Sequence, residues 1–248
     1  MRLQAITCDM LLRPVEHLAA RSPHEVVLCE LSASLHVETA SLRERIQAEI
    51  DRIEGADPEA DAIVLVYGLC GGATAGLVAR TRPFVLPRAH DCATIFLGSR
   101  ERYQREHEAV PGTYWFTEDQ VKRGNALKGW LLGDAERSEG VEATYRAYVE
   151  KYGQENADYL MEALGEWQSH YERGAYLETG LAPDDAAARR AQQESELRGW
   201  RFERLASDLS LFERLLWGEW DDDFLVVRPG ERLAMSFDAD VVRAVPAS

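Results

Sequence analysis

The sequence contains little cysteine, no long apolar run and a deficit of positive charge, and each shortage excludes a class of protein. Four cysteines in 248 residues are too few for a disulfide framework, so we expect reduced thiols. No run approaches the roughly 18 apolar residues that a membrane-spanning helix requires. The N-terminus carries no small-residue cleavage site and is typical of a first strand and helix rather than a signal peptide. These absences predict a cytoplasmic protein that contacts no membrane.

The charge balance argues against a nucleic-acid partner. Lysine and arginine together number 28 against 43 aspartate and glutamate residues, a formal net charge of -15. Binding to nucleic acid requires a basic face that neutralises phosphates. A small-molecule substrate is the expected partner.

The first half of the chain alternates apolar runs with helical patterns. Strands are predicted in LQAITCDM, EVVLCELSA, DAIVLVYGLC, PFVLPRAHD and GTYWFTE. Helices are predicted between them in RPVEHLAARS, ETASLRERIQAEIDRIEG, GATAGLVAR and CATIFLGSRERYQREHEA. This alternation predicts an α/β fold, a parallel Rossmann- or flavodoxin-like three-layer sandwich over residues 1–121.

The second half, residues 122–248, is predicted to be a helical elaboration that ends in a returning strand, integrated with the core in one domain. Two amphipathic helices with aromatic faces are expected in VEATYRAYVEKYG and ENADYLMEALGEWQSHYERGAY, and a polar helix in APDDAAARRAQQESELRGW. DDDFLVVRPGERLAMSF is typical of a returning strand with a turn at Pro229-Gly230. The main sheet is one place where this returning strand can pair.

Thiols and an imidazole follow three of the predicted strands. Cys8 ends the first strand, Cys70 follows the third, and His90, Asp91 and Cys92 follow the fourth. In the flavodoxin-like order 2-1-3-4-5 these strands are neighbours, and ligands of open parallel sheets sit beyond the carboxyl ends. Thiolate and imidazole are common zinc ligands, and thiolates also hold iron or iron–sulfur clusters. We therefore expect a metal, zinc first, held by the three cysteines, with His90 as fourth ligand or as base.

Other residues around these cysteines have two interpretations each. Cys70 precedes Gly71-Gly72, so a helix start there would lower its pKa, and the glycine backbone would offer N–H groups to an anion. Asp91 either orients His90 for catalysis or caps the following helix. Arg88 either binds an anionic substrate group or pairs with a carboxylate.

Three further residues lie in or near the ends of the predicted strands. Cys29 lies inside the second strand and is interpreted as packing. His36 follows that strand and is a further candidate metal ligand, although a surface position fits it equally well. Tyr67 is interpreted as packing.

Several blocks of the sequence resemble the DUF1638 family, a family of unknown function. The blocks are YGLCGGATAGL, LPRAHDCATIFLGSRERY and PGTYWFTEDQ, with TCDML, LHVE and the closing segment from GWRFERL to VVRPG in support. At the main blocks, members of the family read approximately YGLCGNGTVGL, PRAHDCITLFLGS and PGTYY. This chain departs from that pattern at Gly72-Ala73, where the family has a polar residue and another glycine.

The resemblance implies a set of functional positions and a metabolic context. The positions are Cys8, His36, Cys70, His90, Asp91 and Cys92. Cys29 is not among them. Members resemble companions of corrinoid-dependent methyltransferase systems of one-carbon metabolism, which implies a methyltransferase or corrinoid protein as partner. Corrinoid-binding domains carry an Asp-x-His-x-x-Gly signature that this sequence does not contain.

Three functions remain open at the level of sequence. The first is a zinc enzyme that activates a small thiol or other nucleophile for transfer of a methyl or other group. The second is a non-catalytic accessory protein that carries a metal or a corrinoid for a methyltransferase. The third is metal-free thiol chemistry, with Cys70 as nucleophile and His90 as base.

Overall fold

The computed structural model describes residues 1–122, 145–146, 149–150, 152–154, 156–157 and 170–247. Its backbone divides into two compact units. The larger unit comprises Met1–Gln104, Thr179–Leu181 and Ala206–Ser248, and the smaller comprises Arg105–Glu178 and Ala182–Leu205.

Strands and α-helices alternate through the first half of the chain, as the sequence predicts. The strands are β1 (Arg2–Cys8), β2 (Glu25–Leu31), β3 (Ala62–Val66), β4 (Phe84–Pro87), β5 (Thr113–Phe116), β6 (Arg173–Glu178), β7 (Arg201–Ala206), β8 (Phe224–Val227), β9 (Glu231–Met235) and β10 (Val242–Pro246). The α-helices are α1 (Leu12–Ala19), α2 (Thr39–Ala56), α3 (Cys92–Leu97), α4 (Arg100–Ala109), α5 (Glu118–Lys122), α6 (Ala186–Leu197) and α7 (Ser210–Leu216).

The larger unit is built on a mostly parallel five-stranded sheet, so the predicted α/β class is confirmed. Its strand order is β2-β1-β3-β4-β8. The first four strands are parallel, and β8 is antiparallel to β4. All five residues of β3 are buried, because a central parallel strand is covered on both faces. β1, β3 and β4 are therefore neighbours, and their carboxyl ends lie side by side.

The edge position beside β4 was expected for the GTYWFTE strand and is taken by β8 instead. This confirms that the C-terminal region returns to the main sheet. The GTYWFTE segment forms β5, which belongs to the three-stranded sheet β5-β6-β7 of the smaller unit. The smaller unit packs Phe116, Tyr176, Ala191 and Trp200 in one apolar cluster.

The helix patterns are confirmed where an apolar stripe is present. α2 buries Leu42, Ile46, Ile50 and Ile53 along one face, as their helical spacing predicts. The predicted helix over residues 92–109 is two helices, because Gly98 between them has a left-handed φ of 79°.

The predicted helix in GATAGLVAR is wrong. Only a 3-10 turn over Cys70–Gly72 forms there, and Gly76 has a left-handed φ of 95°. The segment then runs beside β9, with Val78 opposite Arg232 in an antiparallel bridge. Backbone pairing with the C-terminal hairpin replaces the helix.

The predicted aromatic helices over residues 141–153 and 155–176 fall mostly outside the described residues. Where the second is described at its end, Arg173–Glu178 forms β6 rather than a helix. The polar helix is confirmed as α6. In the part of the chain that the structure describes, none of the helices has the length and apolar character needed to cross a membrane.

Candidate functional site

The loops after β3 and β4 are joined through their backbones. The Leu69 N–H donates to the Ala89 carbonyl at 2.8 Å, and the Cys70 N–H donates to the His90 carbonyl at 2.9 Å. Gly68 allows this approach, because a Cβ there would lie 2.8 Å from the Asp91 nitrogen. The pairing places the segment that carries Cys70 against the segment that leads into Cys92.

Cys70 lies in an unusual backbone conformation. Its φ is 49°, and Gly71 and Gly72 follow with φ of 65° and 88°. A left-handed conformation costs a residue with a side chain about 1–2 kcal/mol, whereas glycine adopts it freely. The loop therefore holds Cys70 in a conformation that local preferences disfavour, which is typical of functional positions.

Cys8 reaches the same end of the sheet from β1. It is 4% exposed, and its Sγ lies 3.7 Å from Oδ1 of Asp9. The same Asp9 oxygen accepts a hydrogen bond from the Ala33 N–H at 2.9 Å. This contact ties the end of β1 to the turn that follows β2.

Three thiols follow the neighbouring strands β1, β3 and β4, and we call them the thiol cluster (Cys8, Cys70 and Cys92). Burial, followed by the charges of Asp91, Cys70 and Cys8, raises the pKa of Cys92 well above its ordinary value. Burial and then Asp91 raise the pKa of Cys70 to about 12. Burial is also the main cause of a raised pKa at Cys8, with contributions from Asp9 and Cys70. The structure thus places the three cysteines that the sequence singles out at the same end of the sheet.

The raised pKa of Cys70 corrects an expectation from the sequence. A lowered pKa was predicted for Cys70 from a helix start, but that helix does not form and burial acts in the opposite direction. All four cysteines are free, and at neutral pH the clustered thiols are protonated. A cation in the cluster would favour their thiolate forms.

His36 has the geometry of a neutral imidazole with an available nitrogen. Its Nδ1 lies 3.1 Å from the Ala33 carbonyl, so Nδ1 carries the proton and Nε2 keeps its lone pair. Burial lowers the pKa of His36, while the Ala33 contact and the charge of Asp9 raise it less. Its ring stacks on Tyr67, with centroids 6.1 Å apart and planes at 20°.

Tyr67, which the sequence interpretation assigns to packing, is buried together with its polar hydroxyl group. It is 1% exposed, and its hydroxyl has no hydrogen-bond partner among the described residues. Burial raises its pKa most, followed by the charges of Cys8, Cys70, Asp9 and Cys29. The available signal was its position between a buried strand and the Gly-Leu-Cys turn, where a polar atom can face a site.

His90 and Asp91 occupy a more peripheral position. The His90 side chain is exposed, and its ring lies 6.3 Å from that of Tyr103. Asp91 accepts from the Thr94 N–H at 3.2 Å, which confirms its interpretation as the helix cap. Its other oxygen accepts from the Tyr103 hydroxyl at 3.3 Å. A catalytic role for either residue stays a prediction.

The candidate anion-binding groups make contacts within the protein. Arg88 donates to the Val242 carbonyl at 2.5 Å and to the Asp240 carbonyl at 3.3 Å, which attaches the C-terminal hairpin to the end of β4. The Gly72 N–H donates to Leu69 at 3.0 Å. Anion binding by Arg88, Gly71 and Gly72 therefore stays a prediction from sequence.

The main contacts of Cys29 are with α2 rather than with the thiol cluster. Burial raises its pKa, and the next contributions come from Glu49 and Arg52 of α2. Cys29 therefore provides a matched control for variants of the clustered cysteines.

Comparison with known proteins identifies the family. The family model described as a protein of unknown function, DUF1638, matches residues 31–216. The chain belongs to the DUF1638 family. The matched range includes His36, Cys70 and Cys92, whereas Cys8 precedes it. Neither the curated proteins nor the solved structures contain a match to this DUF1638 chain.

Across the described ranges, no three His, Cys, Asp or Glu side chains are grouped so as to hold a metal ion. The thiol cluster is therefore defined by its position at the ends of neighbouring strands and is not a preformed metal site.

Because the thiols are buried, we expect the folded protein to lose stability at alkaline pH. Because the folded pKa of Cys8 lies above its ordinary value of 9.0, folding favours the protonated thiol. The free energy of unfolding is then unaffected by this thiol below pH 9. Above pH 9 it falls by about 1.4 kcal/mol per pH unit for one thiol. Chemical unfolding of metal-free protein between pH 7 and 10.5 measures this slope. Cys8→Ala should reduce the slope by one proton, and equal slopes in both proteins would contradict the assignment.

Proposed function

We propose that this DUF1638 protein binds a metal ion, zinc first, through the thiol cluster. The observation that carries the proposal is that Cys8, Cys70 and Cys92 come from the ends of three neighbouring parallel strands, and that Cys70 and Cys8 both raise the pKa of Cys92. The strand order β2-β1-β3-β4 also supports a flavodoxin-like interpretation of the larger unit, in which ligands sit at that end of the sheet.

The chemistry of the cluster fits a soft or borderline metal. Its donors are three sulfurs. Asp9 and Asp91, the carboxylates that raise the pKa values of these thiols, are negative. A divalent cation would supply the missing positive charge, and the thiols would release protons on binding it. Thiolate donors favour zinc or iron over calcium and magnesium. The proposal depends on this chemistry and shared location rather than on preformed ligand distances.

The protonated state of the thiols favours the metal proposal over metal-free nucleophilic chemistry. A nucleophilic cysteine needs an appreciable thiolate fraction near neutral pH. The pKa of Cys70 is about 12, so that fraction is small in the metal-free protein. The small thiolate fraction supports metal binding over metal-free attack by Cys70.

Of the two imidazoles, His36 suits the role of additional ligand or base better than His90. Histidine ligands of metals commonly donate their second N–H to a carbonyl, which is the contact that His36 makes with Ala33. A neutral ring is also required of a ligand, and burial favours that form at His36. The exposed His90 remains suited to proton exchange with solvent.

We extend the proposal to transfer of a methyl or other group involving a small thiol, as in one-carbon metabolism, in a reducing cytoplasm. Bound zinc would supply a Lewis-acid position that lowers the pKa of such a thiol. The buried surroundings of Cys8 and Tyr67 would exclude water from it. A methyltransferase partner belongs to the same proposal.

Cobalt(II) titration followed by absorption tests the metal site, because thiolate-bound cobalt has an intense near-ultraviolet band. Wild type should bind about one ion per chain with that band. Cys70→Ser should weaken binding on the order of 100-fold, since it removes a ligand. Cys29→Ser is the matched control and should bind as wild type does.

Two histidine variants in the same titration separate the imidazoles. His36→Ala should lower cobalt affinity, whereas His90→Ala should leave it unchanged. A wild-type spectrum without the thiolate band, or equal binding by the Cys70 and Cys29 variants, would exclude the proposed site.

A further inference from the structure

The strand β2 forms one edge of the main sheet. It stands first in the order β2-β1-β3-β4-β8, and among the described residues β1 is the strand that pairs with it. β2 is seven residues long, as long as β1. An edge strand offers a row of backbone N–H and C=O groups to another chain, so proteins normally shorten, charge or cover such an edge.

The hydrogen bonds to β1 show which backbone groups of β2 point outward. The Glu25 N–H donates to the Met1 carbonyl at 3.1 Å. In a parallel pair every second residue bonds to the neighbouring strand, so Val27 also bonds to β1. The N–H and C=O groups of Val26 and Leu28 therefore point away from β1. In the described part of the chain, no strand pairs with them.

The side chains of β2 do little to protect this edge. Four consecutive apolar side chains are half-buried, whereas all five residues of the central strand β3 are buried. These four are Val26, Val27, Leu28 and Cys29. The strand contains neither proline nor lysine, and its charged residues are Glu25 and Glu30. An unprotected apolar edge of this length fits a strand that pairs with another chain.

We propose that β2 pairs in antiparallel orientation with β2 of a second copy of this chain, so that two main sheets join into one. The pairing is symmetric about Leu28, because this register sets all seven residues of each strand opposite one another. Leu28 of each copy then donates to and accepts from Leu28 of the other, through the groups that point outward. A contact that is the same on both sides is closed, so it gives a dimer.

The charge and backbone patterns of β2 both suit this register. Glu30 lies opposite Val26 of the second copy, and no glutamate of one strand faces a glutamate of the other. Val27 lies opposite Cys29 of the second copy in a non-hydrogen-bonded pair, where side chains are closest. A register shifted by one residue would set the outward-pointing groups of one strand against groups that bond to β1 in the other. The identical strand therefore matches β2 in length, charge and backbone direction.

Light scattering of the full chain at physiological ionic strength tests the dimer, because salt then screens the repulsion between two acidic copies. Wild type should have twice the mass of one chain. Leu28→Pro removes an outward-pointing N–H and no hydrogen bond to β1, so the variant should keep its fold by circular dichroism. Its dimer dissociation constant should rise about tenfold or more, since a hydrogen-bond donor is lost from each copy at the symmetry axis.

A disulfide cross-link tests the register. In Val27→Cys, the new thiol lies opposite Cys29 of the second copy, so mild oxidation should give a covalent dimer on a non-reducing gel. Val26→Cys is the matched control, because successive side chains of a strand point to opposite faces, and it should give no such dimer. Adding Cys29→Ser to Val27→Cys should abolish the cross-link.

Each contrary outcome overturns the inference. A monomeric wild type would show that the edge of β2 binds no second copy. A dimer that Leu28→Pro does not weaken would place the interface elsewhere. Equal cross-linking of Val26→Cys and Val27→Cys would contradict the register. None of these measurements involves a metal, so the inference and the proposed function can fail separately.

Discussion

Replacing Gly68 with alanine is expected to destabilise the protein by about 3 kcal/mol, the upper part of the usual range for overpacking. A Cβ at this position would lie 2.8 Å from the Asp91 nitrogen and 2.9 Å from both the Ala89 carbonyl oxygen and the Asp91 Cα. All three are backbone atoms, so a side-chain rotation cannot relieve the contacts. The loops after β3 and β4 would have to separate, which would break the hydrogen bonds of Leu69 and Cys70.

The same substitution should weaken metal binding, because those hydrogen bonds set the position of Cys70 relative to Cys92. Chemical unfolding and cobalt titration of the Gly68→Ala variant measure the two effects. Gly55→Ala is the matched control, since a Cβ there meets nothing within 4 Å. Gly55 lies in α2, where alanine is favoured by up to about 1 kcal/mol, so the control should be as stable as wild type or more so. Wild-type stability and affinity in Gly68→Ala would show that the two loops are not held as described.

Elements with strong periodicity could be predicted from the sequence. The continuous apolar run of β3 and the stripe on α2 each have one way to be buried, so both were predicted correctly. The neighbouring positions of β1, β3 and β4 followed from the parallel α/β pattern and confirmed that three cysteines share one end of the sheet.

Pairings between distant segments could not be predicted in the same way. β8 and β5 are both short apolar segments of four residues, and nothing local decides which of them joins β4. The choice depends on long-range contacts, such as those of Arg88 with the C-terminal hairpin. The segment from Gly72 to Arg80 has helical composition, but backbone pairing with β9 outweighed that weak preference.

The residues of the candidate site can be proposed from the sequence, but their electrostatic environment cannot. The sequence indicated Cys8, Cys70 and Cys92, because each follows a strand. Whether burial raises their pKa values or a helix N-terminus lowers them depends on packing that a sequence does not display. The same limit applies to the unpaired hydroxyl of Tyr67, since an aromatic residue at a strand end is usually packing.

Zinc should stabilise the wild-type protein strongly and the variant with all three clustered cysteines changed to serine not at all. Any ligand that binds only the folded state stabilises it, by about 4 kcal/mol when free zinc is 1,000 times its dissociation constant. Unfolding with and without zinc measures this difference. Cys29→Ser should keep the full effect, because its main contacts are with α2.

Zinc content per chain, measured by elemental analysis of untagged protein after zinc loading and desalting, tests the central claim most directly. Wild type and Cys29→Ser should each retain about one zinc per chain, and the triple variant with Cys8, Cys70 and Cys92 changed to serine should retain almost none while remaining folded. Equal zinc content in the wild type and the triple variant, or no retained metal in the wild type, would contradict a metal site at the thiol cluster.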